Sequence, residues 1–235
     1  MDPWSDAATA GQWAAANPED NPARKQTLDL LLKIITDHFQ RTAVPRRVLD
    51  LGCGHGVIAA RILRELPDVT LTGVDGYQPM LALAEEQLAG YPGRYTLSQV
   101  NFAEMTPAAL GAEPFGVAIA VQSIHNCDDE AKRKAFASAQ AVLAPGGLLL
   151  LADRIRLAAP ALFGVYRSLW DAIGPAWNNQ QAEGDTLAEH ELAVAQQGDK
   201  PGSLEQNVLW LREAGFTEVA VVHVVGIRAL IAATK

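Results

Sequence analysis

An α/β fold is predicted, on three observations. The apolar run Val48-Leu49-Asp50-Leu51 closes on alternating glycines and then turns into an amphipathic segment. A second short apolar run over 69–74 ends in a carboxylate, Asp75. Further runs over 95–100, 115–121 and 148–153 alternate with segments of helical period. Strands buried on both faces and joined by helices leave this pattern.

Each element follows from its residues. Asn21-Pro22 caps a helix with Pro at its first position, and Leu28, Leu31, Leu32 and Ile35 follow at helical spacing. Pro45 ends the connection to the first strand. Gly52, Gly54 and Gly56 then let the backbone take positive φ and let a ligand approach with no Cβ in the way. The next helix, from Val57 with Ile58, Ile62 and Leu66 on one face, aims its free N–H groups at that turn and stops at Pro67-Asp68. A helix from Pro79 to Leu88 follows the second strand. Asp128 or Asp129 caps the one that runs on to Leu143. Two helical patterns, over 157–173 and 179–196, are separated by Gly174-Pro175, and a helix capped at Ser203 precedes strands over 217–224 and 227–233. The first 21 residues, rich in Ala, Asp, Asn and Pro, carry no clear fold signal.

The glycine spacing separates two ligand classes. Asp75 lies about twenty residues past the glycines, where folds of this kind hydrogen-bond a ribose diol. A dinucleotide site wants G-x-G-x-x-G with a helix N-terminus on a pyrophosphate. Here the order is G-x-G-x-G with an acid before it. Asp50 would repel a pyrophosphate and suits the ammonium of a methionine moiety.

The stretch V-L-D-L-G-C-G-x-G from Val48 to Gly56 resembles the first motif of the class I S-adenosylmethionine (SAM)-dependent methyltransferases. The likeness continues through the A-P-G-G turn before Leu148 and the L-x-x-A-G-F close at Phe216. It implies a Rossmann-like three-layer sandwich with a seven-stranded sheet in the order 3-2-1-4-5-7-6, the last strand antiparallel. The expected organisation is an N-terminal lid and helix over 1–45, a SAM-binding core over 46–153, a helical substrate cap over 154–202, and a helix and hairpin over 203–235 that complete the core.

The resemblance also assigns site residues. Asp50, Gly52 and Gly54 would hold the methionine end of SAM, with Gln122 and Ser123 facing it through their main chain. Asp75 would take the ribose, with Gly76 and Tyr77 beside it. Met80, Asn101, Phe102 and Ala103 would surround the adenine. Phe102 stands where many members carry an acid, so packing by its ring and the backbone of Phe102 and Ala103 would replace that carboxylate, with Glu104 as the alternative. Trp13 is the candidate lid aromatic over the cofactor. His125, at the C-terminal edge of a central strand, is the leading candidate base and a substrate contact. Tyr166, also a candidate catalytic residue, and His190 stand behind it. Tyr166, Arg167, Trp170 and Trp177 are candidate walls of the substrate pocket. Cys53, His55, His125 and Cys127 could approach one another, but the glycine turn is needed for SAM and no metal is expected.

The bulk numbers narrow the partners. The chain has 235 residues, 49% hydrophobic and 20% charged, with net charge −8, which suits a single α/β domain and disfavours nucleic acid. No apolar run nears the roughly 18 residues of a membrane span, the start is not that of a signal peptide, and two cysteines make no disulfide framework. The expectation is a cytoplasmic enzyme that methylates a small molecule, with a homodimer compatible with this reading. The long late insertion also resembles carboxy-SAM synthases, whose chemistry would need cations among Arg154, Arg156 and Arg167. A noncatalytic SAM-binding protein is the third reading.

Overall fold

The computed structural model describes residues 5–15, 22–174 and 184–235. In chain order these form α1 (Ala7–Ala14), α2 (Pro22–Arg41), β1 (Arg47–Leu51), α3 (Val57–Glu65), β2 (Thr70–Asp75), α4 (Gln78–Leu88) and β3 (Tyr95–Gln99). Then come β4 (Phe115–Val121), α5 (Asp129–Val142), β5 (Leu143–Arg154), α6 (Phe163–Ile173), α7 (Leu187–Gln196), α8 (Leu204–Glu213), β6 (Glu218–Val225) and β7 (Arg228–Thr234). The seven strands make one sheet in the order β3-β2-β1-β4-β5-β7-β6. β7 runs antiparallel to both its neighbours, and the other pairings are parallel.

The central strands are apolar throughout because both faces are covered. Along β4, Val117 and Ile119 join the layer under α2 and α3, with Leu31, Ile35 and Leu63. Ala118 and Ala120 join the opposite layer with Phe136 and Trp210. Val48 and Leu49 of β1 divide the same way, as the period-two geometry of a strand requires. Each fully buried aliphatic of this kind contributes about 1.5–3 kcal/mol before entropy is counted.

Local chemistry sets the ends of several elements. The Asp128 carboxylate accepts the Ala131 N–H at 2.9 Å and caps α5. Ser203 and Gln206 form a reciprocal capping box at α8. Gly215, at φ +98°, lets the chain reverse so that Phe216 is buried beneath the same helix.

Four expectations shift. The N-terminal segment contains a helix, α1, started by the Asp6 carboxylate, which accepts the N–H and hydroxyl of Thr9 at 2.8 Å each. β5 begins at Leu143, before the A-P-G-G turn, because Leu143 already pairs with Phe115 ahead of a register shift. The helix expected from Leu157 begins at Phe163, after a short 3₁₀ turn over Pro160–Leu162. Pro160 keeps Ala159 out of the helical region, at φ −123° and ψ 83°, and has no N–H to give to a helix. Of the helix expected over 179–196, residues 179–183 lie outside the described residues, and the described helix runs Leu187–Gln196 behind a capping box of Thr186 and Glu189.

Candidate active site

The first part of the site is built by the turn between β1 and α3. Gly52 and Gly54 take φ of +73° and +54°, and the N–H groups of Gly52 and Cys53 both reach the Val74 carbonyl, at 2.8 and 3.0 Å. A Cβ on Gly52 would lie 2.4 Å from that of Ser123, so only glycine fits there. At Gly54, by contrast, a Cβ would meet nothing within 4 Å. The turn is thus closed against β4 and open toward the cavity. Gly56 serves packing, since its Cβ would press on Ala84 of α4 at 3.1 Å.

Asp75 ends β2 beside this turn. One of its carboxylate oxygens accepts the Gly54 N–H at 2.9 Å and the other the Tyr77 N–H at 3.0 Å. Burial pushes its pKa up, against those backbone donors. Asp50 is 1% exposed, and its Oδ2 has no hydrogen-bond partner among the described residues. Burial first, then the charge of Asp75, raises the Asp50 pKa to about 7. A buried acid with an unused acceptor facing a cavity is a site for a cation.

That cavity, of about 540 Å³, runs from the glycine turn to the far edge of β5 and β7. Its glycine end is lined by Asp50, Gly52, Gly54, Asp75, Gly76, Tyr77, Met80, Asn101 and Phe102. Ala103 stands outside the lining, contrary to expectation. Its N–H is donated to Asn101 Oδ1 at 2.9 Å and its carbonyl accepts from Lys134 Nζ at 2.7 Å, so neither group is left to read a ring.

At the other end, Asp153 closes β5 and organises His125. Its Oδ2 accepts the His125 backbone N–H at 3.0 Å, and its Oδ1 contacts the His125 ring Nδ1. The second ring nitrogen, Nε2, lies 3.7 Å from Asp199 Oδ1. A proton on Nδ1, held by Asp153, leaves Nε2 as the basic nitrogen. Arg154 pairs with Asp199, and the Lys200 N–H reaches the His125 carbonyl at 2.6 Å. Gln122 has φ +53°, the one positive value among the described non-glycine residues, and its Oε1 accepts from Arg228 at 2.5 Å. α2 adds Arg24, and α7 adds His190 and Val194.

The aromatic stripe of α6 falls elsewhere. Trp170 is 4% exposed and packs with Phe163, Leu157 and Ile227 in a small satellite core, with Tyr166 against it. Arg167 turns outward, 3.7 Å from an exposed Asp185. Tyr166, Arg167 and Trp170 are therefore absent from the cavity lining, because the α6 stripe buries itself against α7 and the β6–β7 turn. The side chain of Trp13, and Trp177 altogether, lie outside the described residues. Sequence reasoning passed over Arg24, Asp153, Asp199 and Arg228. Of these only Asp153, at the end of a strand leading to the crevice, carried a readable signal.

Sheet order, glycine turn and the Asp75 carboxylate together define an α/β protein of the SAM-binding kind. A family model described as a methyltransferase domain matches residues 48–147. A ubiquinone/menaquinone biosynthesis C-methyltransferase of Syntrophotalea carbinolica is 30% identical over 195 residues, covering 78% of this chain and 80% of that protein. An uncharacterized methyltransferase of Mycobacterium bovis is 32% identical over 102 residues, 43% of this chain and 47% of its own. The chain thus spans about half the length of that mycobacterial relative. The crystal structure of the CurJ carbon methyltransferase superposes with TM-score 0.66 at 21% identity, over 99% of this chain and 59% of that one, a likeness of fold. The chain belongs to the class I SAM-dependent methyltransferases.

Proposed function

We propose that this protein transfers the methyl group of SAM to a small-molecule acceptor held beside His125. The supporting observation is the single continuous cavity, with the glycine turn and two buried acids at one end and the His125–Asp153 pair at the other. The residues suit the cofactor. Asp75 would take the ribose hydroxyls, and the unused Oδ2 of Asp50 would meet the ammonium. Met80 and Phe102 would flank the adenine. When bound, SAM supplies a sulfonium-activated methyl group, and the protein contributes alignment in a dry site, which lowers such barriers by roughly 7–11 kcal/mol. Asp153 fixes the His125 ring, and Nε2 would accept the acceptor's proton.

Of Arg154, Arg156 and Arg167, only Arg154 lines the cavity, and it is paired with Asp199. Arg24 and Arg228 also line it, so methyl transfer is favoured over a carboxy-SAM synthase by the likeness to the C-methyltransferase of Syntrophotalea carbinolica, 30% identical over 78% of this chain. Among the described residues no helix is long and apolar enough to cross a membrane. Cytoplasmic action belongs to the same proposal, supported by two free thiols. Incubation with methyl-labelled SAM and a panel of small acceptors should give a labelled product and S-adenosylhomocysteine (SAH). Binding of SAM without turnover on any acceptor, or label appearing as a carboxylated SAM derivative, would favour the rival readings.

A pH effect on cofactor affinity follows from Asp50. Its carboxyl, raised to about 7, keeps its proton below that pH and must lose it to meet a cation. Affinity for SAM should therefore rise as pH climbs through 7 and level off above it. The expected gain between pH 6 and pH 7.5 is roughly five- to tenfold. Calorimetry at the two pH values measures it, and Asp50→Asn should bind weakly with little pH dependence. The same slope in that variant would assign the effect to another group.

A further inference from the structure

We propose that Arg228, with Arg154 opposite it, forms a subsite for a carboxylate or phosphate group carried by the methyl acceptor. This rests on reading the cavity as a methyltransferase site. Arg154 and Arg228 face each other across the antiparallel β5–β7 pair. Like charges at directly opposed positions are destabilising, so this pairing calls for an anion. The acids nearby are already engaged. Asp199 pairs with Arg154, and Asp153 accepts from His125 and from the Arg154 backbone N–H. The Arg228 guanidinium reaches the neutral Gln122 Oε1 at 2.5 Å and has no carboxylate in ion-pair contact among the described residues. Its pKa falls to about 10, first by burial and then by the charges of Arg24 and Arg154, which Asp153 and Asp199 only partly offset. Among the described residues, Arg228 is thus a cation of the cavity with no carboxylate against it. Its planar fork suits bidentate binding of an oxyanion.

Position assigns that anion to the acceptor. β7 is separated from β1 by β4 and β5, so Arg228 enters from the side away from Asp75, next to Asp153 and the His125 it holds. Arg24 is also felt by His55 of the glycine turn and suits the methionine carboxylate better. An acceptor anchored at Arg228 would present its nucleophile toward His125.

The test is to saturate the protein with SAH and titrate it with benzoate, inorganic phosphate and benzamide, following the arginine side-chain NMR signals. Benzoate or phosphate should bind saturably and benzamide should not. Arg228→Gln should weaken the anion by roughly ten- to a hundredfold, the loss expected of a charge-assisted pair. Arg228→Lys should keep an intermediate affinity, and SAH should bind all three proteins equally. Thermal unfolding checks that each is folded, and the Lys variant carries the test if the Gln variant is not. The subsite is overturned if neither anion binds, if benzamide binds as well as benzoate, or if both variants bind like the parent. Parallel loss of SAH affinity in the variants would give the anion site to the methionine carboxylate instead, which also overturns it. Failure of the parent to bind SAH at all would sink the methyltransferase reading and this subsite with it.

Discussion

Asp75→Ala should weaken SAM and SAH binding on the order of 100- to 1,000-fold, because the ribose would lose hydrogen bonds to a buried charged acceptor. The same change frees the N–H groups of Gly54 and Tyr77, which the carboxylate holds at 2.9 and 3.0 Å. The glycine turn would then lose one anchor to the end of β2 and keep the Gly52 and Cys53 bonds to the Val74 carbonyl. Asp75→Asn separates the two effects. An amide can still accept one backbone N–H, so the turn should hold better while charge-assisted ribose binding is lost. Calorimetry with SAH, alongside thermal unfolding of the free proteins, reads both. Parental affinity in Asp75→Ala would show that the adenosyl group does not lie at the end of β2.

His125→Ala should lower kcat by roughly 10²- to 10⁴-fold, the range for removal of a positioned general base, with SAH affinity nearly unchanged. Asp153→Asn should produce a large part of the same loss. Asp153 touches the His125 ring and accepts its backbone N–H, so an amide there would favour the wrong tautomer, as in other carboxylate–histidine pairs. The double variant should be little worse than His125→Ala, since the two residues act as one unit. Rates with the acceptor found in the labelled-methyl screen measure this. Full activity in His125→Ala would mean the acceptor reacts without giving up a proton to the protein, and the ring would then only shape the wall.

The glycine end of the site was legible because its parts lie close along the chain. Asp50, Gly52, Gly54 and Asp75 sit on two successive strands and the turn between them, and the periods of the flanking residues place those strands. The His125 end of the cavity was largely illegible. His125 stood out as a histidine at a strand edge, but nothing near it in sequence pointed to Asp199, in a loop 74 residues on, or to Arg228, 106 residues beyond the Gln122 it binds. The dense aromatics of α6 misled for a related reason. A stripe of Phe163, Tyr166 and Trp170 marks a face that must leave water, and by itself does not say whether a ligand or another helix covers it. Here α7 and the chain around Ile227 cover it.

From the order of residues alone came the layered α/β core, the open glycine turn, the carboxylate that ends β2 beside it and, through family likeness, the strand order. These depend on hydrophobic period and on contacts between neighbours in the chain. The tertiary structure alone decided that Arg154 and Arg228 oppose each other and that His125 sits between two carboxylates. It also turned the α6 aromatics inward. Those outcomes depend on strand register and helix docking, where distant segments meet and a shift of one residue would send a side chain to the other face of the sheet.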